Sequence, residues 1–246
     1  MDSTLLISLS HQMAATRSMD VIANNLANVS TNAYQREEPT FKEFMSYTRP
    51  AEGQLGQQSM SFVTDTGTVR DLSEGSFQAT GSRYDLAVHG NGYFKIGTAK
   101  GTVYTRDGHF SLDGDGNMVD SNGNKLQGDG GPITVTPDDG DVHIADDGTV
   151  SGKNGQIGQI KLATFANPRL MQKIGNNYYS TTEQPTDAPD AKIVSGMLES
   201  SNVSPVVEIS HMIEVMRAYQ ASTTLAQSHE TLMRQAIQQL GSQPQA

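Results

Sequence analysis

Cysteine and tryptophan are absent from this 246-residue chain, and aromatic residues make up only 6% of it. Without cysteine the chain can hold no disulfide frame, no thiolate metal site and no cysteine nucleophile. A chain without thiols also suits an oxidising compartment, because it cannot form unwanted crosslinks there. Hydrophobic residues reach 35%, which is lean for one large core, and 24 glycines favour many turns.

Basic residues and long apolar runs are scarce as well. Lysine and arginine number 17 against 27 aspartates and glutamates, so the net charge is −10 and the isoelectric point is about 4.9. Nucleic acid and anionic membranes would repel such a chain. No stretch approaches the ~20 apolar residues of a membrane span, and Leu5–Ile7, preceded by Asp2, lacks the basic start and the length of a signal peptide. Composition alone therefore favours a cytoplasmic protein with no nucleic-acid partner and no membrane insertion.

The clearest pattern is a long helix near the C-terminal end. Ser204 is a good N-cap, Pro205 stands where a first helical residue belongs, and no further proline or glycine occurs before Gly241. Apolar residues recur at alternating steps of three and four, interrupted at Glu230, which is typical of a heptad seam. At ~1.5 Å per residue the helix would be ~55 Å long, so its seam needs a partner along its length. The predicted interface residues are Ile209, Met212, Met216, Tyr219, Ala226, Met233, Ile237 and Leu240.

A second amphipathic helix is predicted from Ser3 to about Asn28, with no glycine or proline inside it. We expect the two terminal helices to pair as a coiled coil, with the middle of the chain as an excursion from the far end. The alternative is that each helix only caps the middle domain, although capping does not require so long a seam. The N-terminal interface residues are Leu5, Leu9, Met19 and Leu26, with Ala23 on the same stripe and Leu6, Met13 and Ile22 widening it.

Weak periodicity and many glycines and prolines predict an extended joint at residues 35–82. A strand or hairpin is expected near Met60–Val69. The apolar cluster that comes before it could form one or two helical turns; its members are Phe41, Phe44, Met45 and Tyr47.

Apolar residues alternate with polar ones from residue 83 to 182, which predicts a compact β-rich domain. A hairpin is expected around Gly90–Gly92 and the longest strand at Gln156–Phe165. Short strands at this spacing predict a sandwich or a barrel. Residues 183–203 form a returning joint with one strand at Ile193–Leu198. The predicted fold class is therefore α+β, with the helical core domain built from residues 1–34 and residues 204–246, the latter including a polar tail.

Two patterns in the β-rich region resemble sites of chemistry. Asp113–Asn117 begins like a calcium loop, but Met118 stands where such a loop needs glycine and Asn124 where it needs glutamate, so a tight turn explains it better. Three histidines could meet in space, yet their spacing matches no metal motif, and satisfied or exposed side chains are favoured. We expect no catalytic residue, no metal, no cofactor and no small-molecule substrate. The three histidines are His89, His109 and His143.

Asparagines at the end of the first predicted helix are more informative. Asparagine is a poor mid-helix residue because its side chain competes for backbone hydrogen bonds. The cluster predicts capping or amide contacts with a neighbouring backbone, and a frayed helix end is the alternative. Ala23–Tyr34 resembles the signature of the bacterial flagellar rod and hook family, in which an Ala-Asn-Asn-Leu-Ala-Asn core is followed by threonine and an aromatic residue. The resemblance assigns an assembly role to Asn24, Asn25, Leu26, Ala27, Asn28, Thr31 and Tyr34.

The likeness continues in matching order over nearly the whole chain. One departure is Ala33, where the family usually has glycine; alanine reaches a positive φ only at a cost, which disfavours a tight turn there. Length and the modest joint are most similar to proximal-rod members, with distal-rod members next and hook proteins expected to be longer. The further matching segments are Asp85–Ile96, Tyr104–Leu112, Gly116–Gly123, Gly196–Val203 and Met212–Tyr219.

The resemblance implies a non-enzymatic axial subunit of the flagellar basal body. In this family the terminal helices form a coiled coil lining an inner tube, and copies stack with other rod proteins into a hollow, torque-transmitting shaft that crosses the periplasm. The resemblance also implies export by the flagellar type III apparatus without a cleaved signal, which replaces the cytoplasmic expectation. Leu5–Leu9 is then either a contact with the export gate or simply the first turns of the seam. An alternative of a different class is an exported cell-wall-binding or hydrolytic β module.

Overall fold

The computed structural model describes residues 3–48 and 58–241. Over these residues the fold is mixed α+β, with two long helices and short antiparallel strands. The chain divides into two compact units. The first, here called the helical unit, contains Met1–Ala27, Glu37–Arg70 and Ser204–Ala246; the second, the β unit, contains Asn28–Arg36 and Asp71–Val203.

Both predicted terminal helices are confirmed. Helix α1 spans Ser3–Ala27 and helix α2 spans Pro205–Gly241. The helices run antiparallel, since the Ser222 hydroxyl of α2 donates to the Ser8 carbonyl of α1 at 3.3 Å, while Asn25 of α1 contacts Glu208 at the start of α2. With 37 residues against 25, α2 continues past the first residue of α1.

A long antiparallel hairpin completes the helical unit. Strand β1 spans Glu37–Thr48 and strand β2 spans Gln58–Arg70, with Glu37 opposite Arg70 at the base. Both strands belong to the segment predicted as an extended joint. The prediction of helical turns at Phe41, Phe44, Met45 and Tyr47 is wrong, because these residues lie in β1, where pairing with β2 satisfies the backbone over twelve residues.

Seventeen short strands of the described chain form the β unit, together with two single 3-10 turns at Pro137–Asp139 and Pro168–Leu170. In chain order the strands are β3 Phe77–Ala79, β4 Leu86–His89, β5 Phe94–Thr98, β6 Gly101–Thr105, β7 Ser111–Leu112, β8 Met118–Val119, β9 Lys125–Gly128, β10 Gly131–Pro132, β11 His143–Ile144, β12 Thr149–Gly152, β13 Gly155–Gln159, β14 Ala163–Thr164, β15 Gln172–Gly175, β16 Tyr178–Ser180, β17 Thr186–Asp187, β18 Lys192–Ser195 and β19 Met197–Glu199.

The largest sheet of the β unit is open and has the strand order β15-β16-β6-β5-β9-β8-β7, with β10 paired to β9. Smaller sheets are β11-β12-β13, β14-β17, β18-β4 and β19-β3. These pairings close no barrel within the described residues. One apolar core draws on the large sheet and several small ones; Phe94 and Phe110 meet edge to face at 5.3 Å, and Leu86, Ile144 and Ile193 belong to the same cluster.

Three local strand predictions were wrong about pairing or continuity. The predicted hairpin at Gly90–Gly92 does not form, because β4 pairs with β18 while β5 pairs with β6 and β9. The predicted long strand Gln156–Phe165 is divided between β13 and β14, which belong to different sheets. The predicted returning strand Ile193–Leu198 is broken at Gly196, whose φ of +80° ends β18 before β19 begins. Alternating hydrophobicity identifies strands but not their partners.

Candidate functional site

The predicted seam of α2 falls into two stripes. One stripe is half-buried and follows heptad steps on the face that carries Ser222, the residue bonded to α1. Its members are Met212, Tyr219 and Ala226 from the prediction and Val215, which the prediction missed. The remaining predicted residues whose side chains are described are exposed: Ile209, Met216, Met233 and Ile237. The side chains of Leu5 and Leu240 lie outside the described part of the chain.

The predicted stripe of α1 is divided in the same way. Met19 and Leu26 are half-buried, whereas Leu9 is exposed. Val21 and Ile22 are buried, and only Ile22 was expected near the seam. Helical periodicity placed the apolar residues on helices but did not tell which of them another element of the same chain would cover.

Two exposed apolar stripes with heptad spacing remain on the helices. On α1, Leu6, Leu9 and Met13 follow at steps of three and four, and Met13 is 66% exposed. On α2, the exposed residues Val206, Ile209, Ile213 and Met216 follow at steps of three, four and three. Exposed apolar residues on monomeric proteins are usually scattered, and ordered stripes of this kind mark interaction surfaces.

Asn25 is the buried centre of the signature, with only 1% of its surface exposed. Its amide nitrogen donates to the Glu37 carbonyl at 2.8 Å, and its amide oxygen accepts from the Glu37 backbone N–H at 3.0 Å. The same nitrogen lies 3.2 Å from Oε2 of Glu208, which is fully buried. The expectation of amide contacts with a neighbouring backbone is confirmed at this residue.

The other signature residues lie in different surroundings. Asn24 and Ala27 are exposed and Leu26 is half-buried on the last turns of α1. Asn28 and Thr31 belong to the β unit, where the Thr31 backbone N–H donates to the Asn28 carbonyl at 3.1 Å and closes a turn. The structure thus divides the signature between the two units.

Ala33 adopts a positive φ of +52°, contrary to the expectation that alanine would disfavour a tight turn here. Surrounding contacts determine this conformation: the Ala33 N–H donates to the Glu199 carbonyl at 2.8 Å, and Ala33 and Tyr34 are both buried. Lys173 Nζ lies 4.4 Å from the centre of the Tyr34 ring. Such contacts compensate the ~1–2 kcal/mol that a left-handed alanine costs.

The segments Asn28–Arg36 and Gly196–Val203 lie side by side in the β unit. Asn202 connects them through its backbone N–H, which donates to the Tyr34 carbonyl at 3.3 Å, and through its side-chain oxygen, which accepts from the Arg36 N–H at 2.7 Å. Its amide nitrogen donates to the Asp71 and Ser73 carbonyls at 3.1 and 3.0 Å. The sequence contained no signal for this bridge beyond the match of both segments to the family.

A buried arginine joins two more of the matching segments to Gly196–Val203. Arg106 donates through Nε to Glu199 at 2.9 Å and through its terminal nitrogens to the carbonyls of Val88, Gly90 and Gly92 at 3.0–3.3 Å. A guanidinium suits this position because it offers five donors in a fixed plane. Three segments that are distant in sequence and resemble the family pattern therefore meet in one polar network.

The two sequence patterns that resembled chemical sites form a hydrogen-bonded turn and a set of separated histidines. Asp113 accepts hydrogen bonds from the backbone N–H groups of Asp115 and Asn117 and from the Asn117 amide at 2.8–2.9 Å, and these bonds hold the pKa of Asp113 below its usual value. His89 contacts Glu74 at 3.1 Å and His109 contacts Asp85 at 2.8 Å, so the two rings have different partners. His143 is exposed on β11.

The described residues hold neither a metal-binding cluster nor a membrane-spanning helix. No three histidine, aspartate or glutamate side chains are grouped there in a way that could hold a metal ion. Neither of the two described helices is long and apolar enough to cross a membrane.

Antiparallel terminal helices with uncovered apolar stripes define a subunit of a larger protein assembly. Family models match three stretches of the chain: flagella basal body rod protein at residues 5–35, flagellar hook protein FlgE/F/G D1 domain at residues 87–152, and flagellar basal body rod FlgEFG protein C-terminal at residues 194–239. The chain belongs to the flagellar basal-body rod protein family. It is a structural subunit of the basal-body rod and not an enzyme.

Full-length relatives carry the same description. The chain is 37% identical to flagellar basal-body rod protein FlgF of Caulobacter vibrioides and 34% identical to FlgF of Mesorhizobium japonicum, each over 98% of this chain and 99% of the relative. It is 34% identical to FlgG of Bacillus subtilis over 89% of this chain and 92% of the relative. These relatives do not favour a cell-wall-binding or hydrolytic β module.

Proposed function

We propose that this chain is a rod subunit of the FlgF type and occupies the proximal part of the shaft. The match to the FlgF relatives runs from end to end, which supports the proximal position. The match to FlgG of Bacillus subtilis leaves more of this chain and more of the relative uncovered, so the distal position is less well supported. Electron microscopy of purified basal bodies carrying a tagged copy of the chain tests the position. Density for the tag at the distal end of the rod would overturn it.

Self-assembly through the helical unit is the core of the proposal, and the exposed stripes on α1 and α2 are the observation that carries it. Heptad spacing on both stripes fits helices of neighbouring subunits packing knobs into holes. We propose that α1 and α2 pair as a coiled coil around the channel, and the half-buried stripe of α2 supports this. If one neighbouring subunit packs on the α1 stripe and another packs on the α2 stripe, the contacts are head-to-tail and can propagate as a helical shaft.

The outer part of the subunit completes the proposal. We propose that the sheets of the β unit pack as a sandwich, since they share one apolar core. In this proposal the five segments predicted from sequence are the inner helix at 1–34, the joint at 35–82, the outer domain at 83–182, the returning joint at 183–203, and the inner helix with its tail at 204–246. The partners of this subunit are then its own copies and other rod proteins, and it transmits torque.

Export by the flagellar type III apparatus into a periplasmic rod, without cleavage of a signal peptide, is also part of the proposal. Its support is the family to which the chain belongs. Mass spectrometry of the N-terminal peptide from purified rods tests it. Recovery of the peptide that begins at Met1 or Asp2 is expected, and a mature N-terminus beyond α1 would overturn uncleaved export.

Met216→Asp tests the assembly surface. Because Met216 is exposed at the end of its stripe, with 45% of its surface accessible, the charge should leave the subunit folded. It should reduce swimming and rod incorporation at least about tenfold, since a buried unpaired carboxylate at an interface costs several kcal/mol.

Ala221→Asp is the matched control, because Ala221 is exposed, lies about 140° around α2 from Met216 and belongs to neither stripe. It introduces the same charge and should incorporate within about twofold of the parent. Normal swimming with Met216→Asp would count against assembly through this stripe.

A further inference from the structure

The signature residue Asn25 is buried inside the subunit that carries it. We infer that Asn25 is a positioning residue for assembly, which holds the β1–β2 hairpin on the helix pair and does not itself meet a neighbouring subunit. This inference rests on the proposed function. It distinguishes two adjacent signature residues by their burial, since Asn25 is 1% exposed and Asn24 is exposed.

The hydrogen bonds of Asn25 act on the base of the hairpin. Glu37 is the first residue of β1 and lies opposite Arg70, the last residue of β2. The Asn25 amide donates to the carbonyl of Glu37 and accepts from its N–H, as a neighbouring strand would. A primary amide thus extends the β ladder by one step and joins it to α1.

Glu208 fixes which way round the amide lies. A carboxylate accepts and does not donate, so Glu208 Oε2 at 3.2 Å selects the amide nitrogen and leaves the amide oxygen for the Glu37 N–H. Because Glu208 belongs to α2, the Asn25 side chain connects α1, α2 and β1. Buried polar groups of this kind specify one arrangement among several of similar stability.

The length of the hairpin gives this small contact its effect. Twelve residues of β1 extend ~40 Å from the base at ~3.4 Å per residue. A change of ~10° in the direction of the base would move the far end by ~7 Å, which is more than the spacing between strands. A neighbouring subunit would then meet the hairpin in the wrong place, although the hairpin itself had formed.

Asn25→Asp tests the inference, because it keeps the shape of the side chain, removes the donor and places a second carboxylate beside Glu208. Repulsion from Glu208 should move the new carboxylate away from Glu37, so the Glu37 N–H should lose its acceptor and exchange its hydrogen at least about tenfold faster by NMR in the purified full-length chain. Rod incorporation should fall at least about tenfold. Asn24→Asp, the same change on the exposed neighbour, should leave both quantities within about twofold.

Rescue separates positioning from general destabilisation. In Asn25→Asp/Glu208→Gln the new amide can donate to the new carboxylate, which restores the connection between α1 and α2, and incorporation should recover at least threefold over Asn25→Asp. Amides of β5 and β6, in the other unit, should exchange at the parental rate in every variant.

Three results would overturn the inference: parental incorporation of Asn25→Asp, lost incorporation with unchanged Glu37 exchange, or an equal defect in Asn24→Asp. The second and third results would show that the signature contacts a neighbour directly, and they leave the proposed function intact. Failure of the parent chain itself to enter the rod would instead contradict the proposed function.

Discussion

Single residues of this subunit hold conformations that their side chains do not favour by themselves. Ala33 is the clearest case, since it takes a positive φ without being glycine. Its N–H bond to Glu199 and the burial of Tyr34 beside it determine the backbone there. Local preference is overridden because the neighbouring contacts together contribute more than the ~1–2 kcal/mol of strain.

Substitutions at Ala33 test this account of the turn. Ala33→Gly removes the strain but also loses a buried methyl group and makes the unfolded chain more flexible, so the free energy of unfolding should change by less than about 1 kcal/mol. Ala33→Val places a β-branched residue at a positive φ and should lower the free energy of unfolding by at least about 2 kcal/mol. Urea unfolding followed by tyrosine fluorescence measures both. Tolerance of valine would show that the turn relaxes.

The turn at Asp113 makes a prediction about acid stability. Hydrogen bonds from Asn117 lower the pKa of Asp113 from its usual 3.8 in the folded chain, so the folded state favours the ionised carboxylate. The resulting stabilisation is fully present above pH 3.8 and is lost as the pH falls through the lower folded pKa.

Asp113→Asn should therefore unfold more easily than the parent at pH 7, and this difference should shrink as the pH falls below 3.8. Denaturant unfolding of both chains across this pH range measures the effect. A difference that persisted at low pH would mean that Asp113 contributes through shape and not through charge.

Among the elements, the β1–β2 hairpin shows how one glycine sets a strand register. The pairing shifts by one residue between Thr40 and Phe41, where Thr66 has no partner across the ladder and Gly67 takes a φ of +114°. The Thr66 hydroxyl donates to the Thr40 carbonyl at 2.9 Å and holds the bulge. Such a bulge increases the local twist of the hairpin.

Gly67→Ala isolates the backbone cost of the bulge. A methyl group there would meet open space, so only the positive φ opposes it, and the exchange free energies of the β1 and β2 amides should fall by about 1–2 kcal/mol. Gly114→Ala is the control, because Gly114 also faces open space but has no positive φ. Its surrounding amides should change by less than about 0.5 kcal/mol. Equal effects would show that the positive φ of Gly67 does not determine the cost.

At the scale of the whole molecule, the two units differ in how much apolar surface they bury alone. Among the described residues, only Val21 and Ile22 are buried apolar residues of the helical unit, whereas the β unit holds all the other buried apolar residues. Burying a large apolar side chain contributes ~1.5–3 kcal/mol, and ordering each residue costs ~1–2 kcal/mol. The helical unit therefore depends on further burial, which assembly can supply.

Hydrogen exchange of the free and assembled subunit should show this difference. In the free chain, amides of α1 and α2 should exchange at least about a hundredfold faster than those of β5 and β6. In purified rods the helices should approach the protection of the β unit, because neighbouring subunits cover the exposed stripes. Exchange data from isolated subunits and isolated rods measure both. Equal protection of both units in the free chain would mean that folding and assembly are not coupled.

The amino-acid sequence by itself determined both terminal helices, the β-rich middle, the family and the structural function. These follow from information that is local or repeated along the chain: the heptad steps of α2, the start signal at Ser204 and Pro205, and an ordered set of short motifs. Such signals require no knowledge of which distant residues meet.

Tertiary structure alone decided which strands pair and which residues of each apolar stripe are buried by another element of the chain. Strand β4 pairs with β18 and not with β5, Phe44 lies in a strand, and Met216 stays exposed while Tyr219 is half-buried. Asn25 and Ala33 take their conformations from Glu37, Glu208 and Glu199, which lie 12 to 183 residues away in sequence. Each of these outcomes depends on which of several similar apolar or hydrogen-bonding partners is nearest in space, and periodicity along one segment contains no information about that distance.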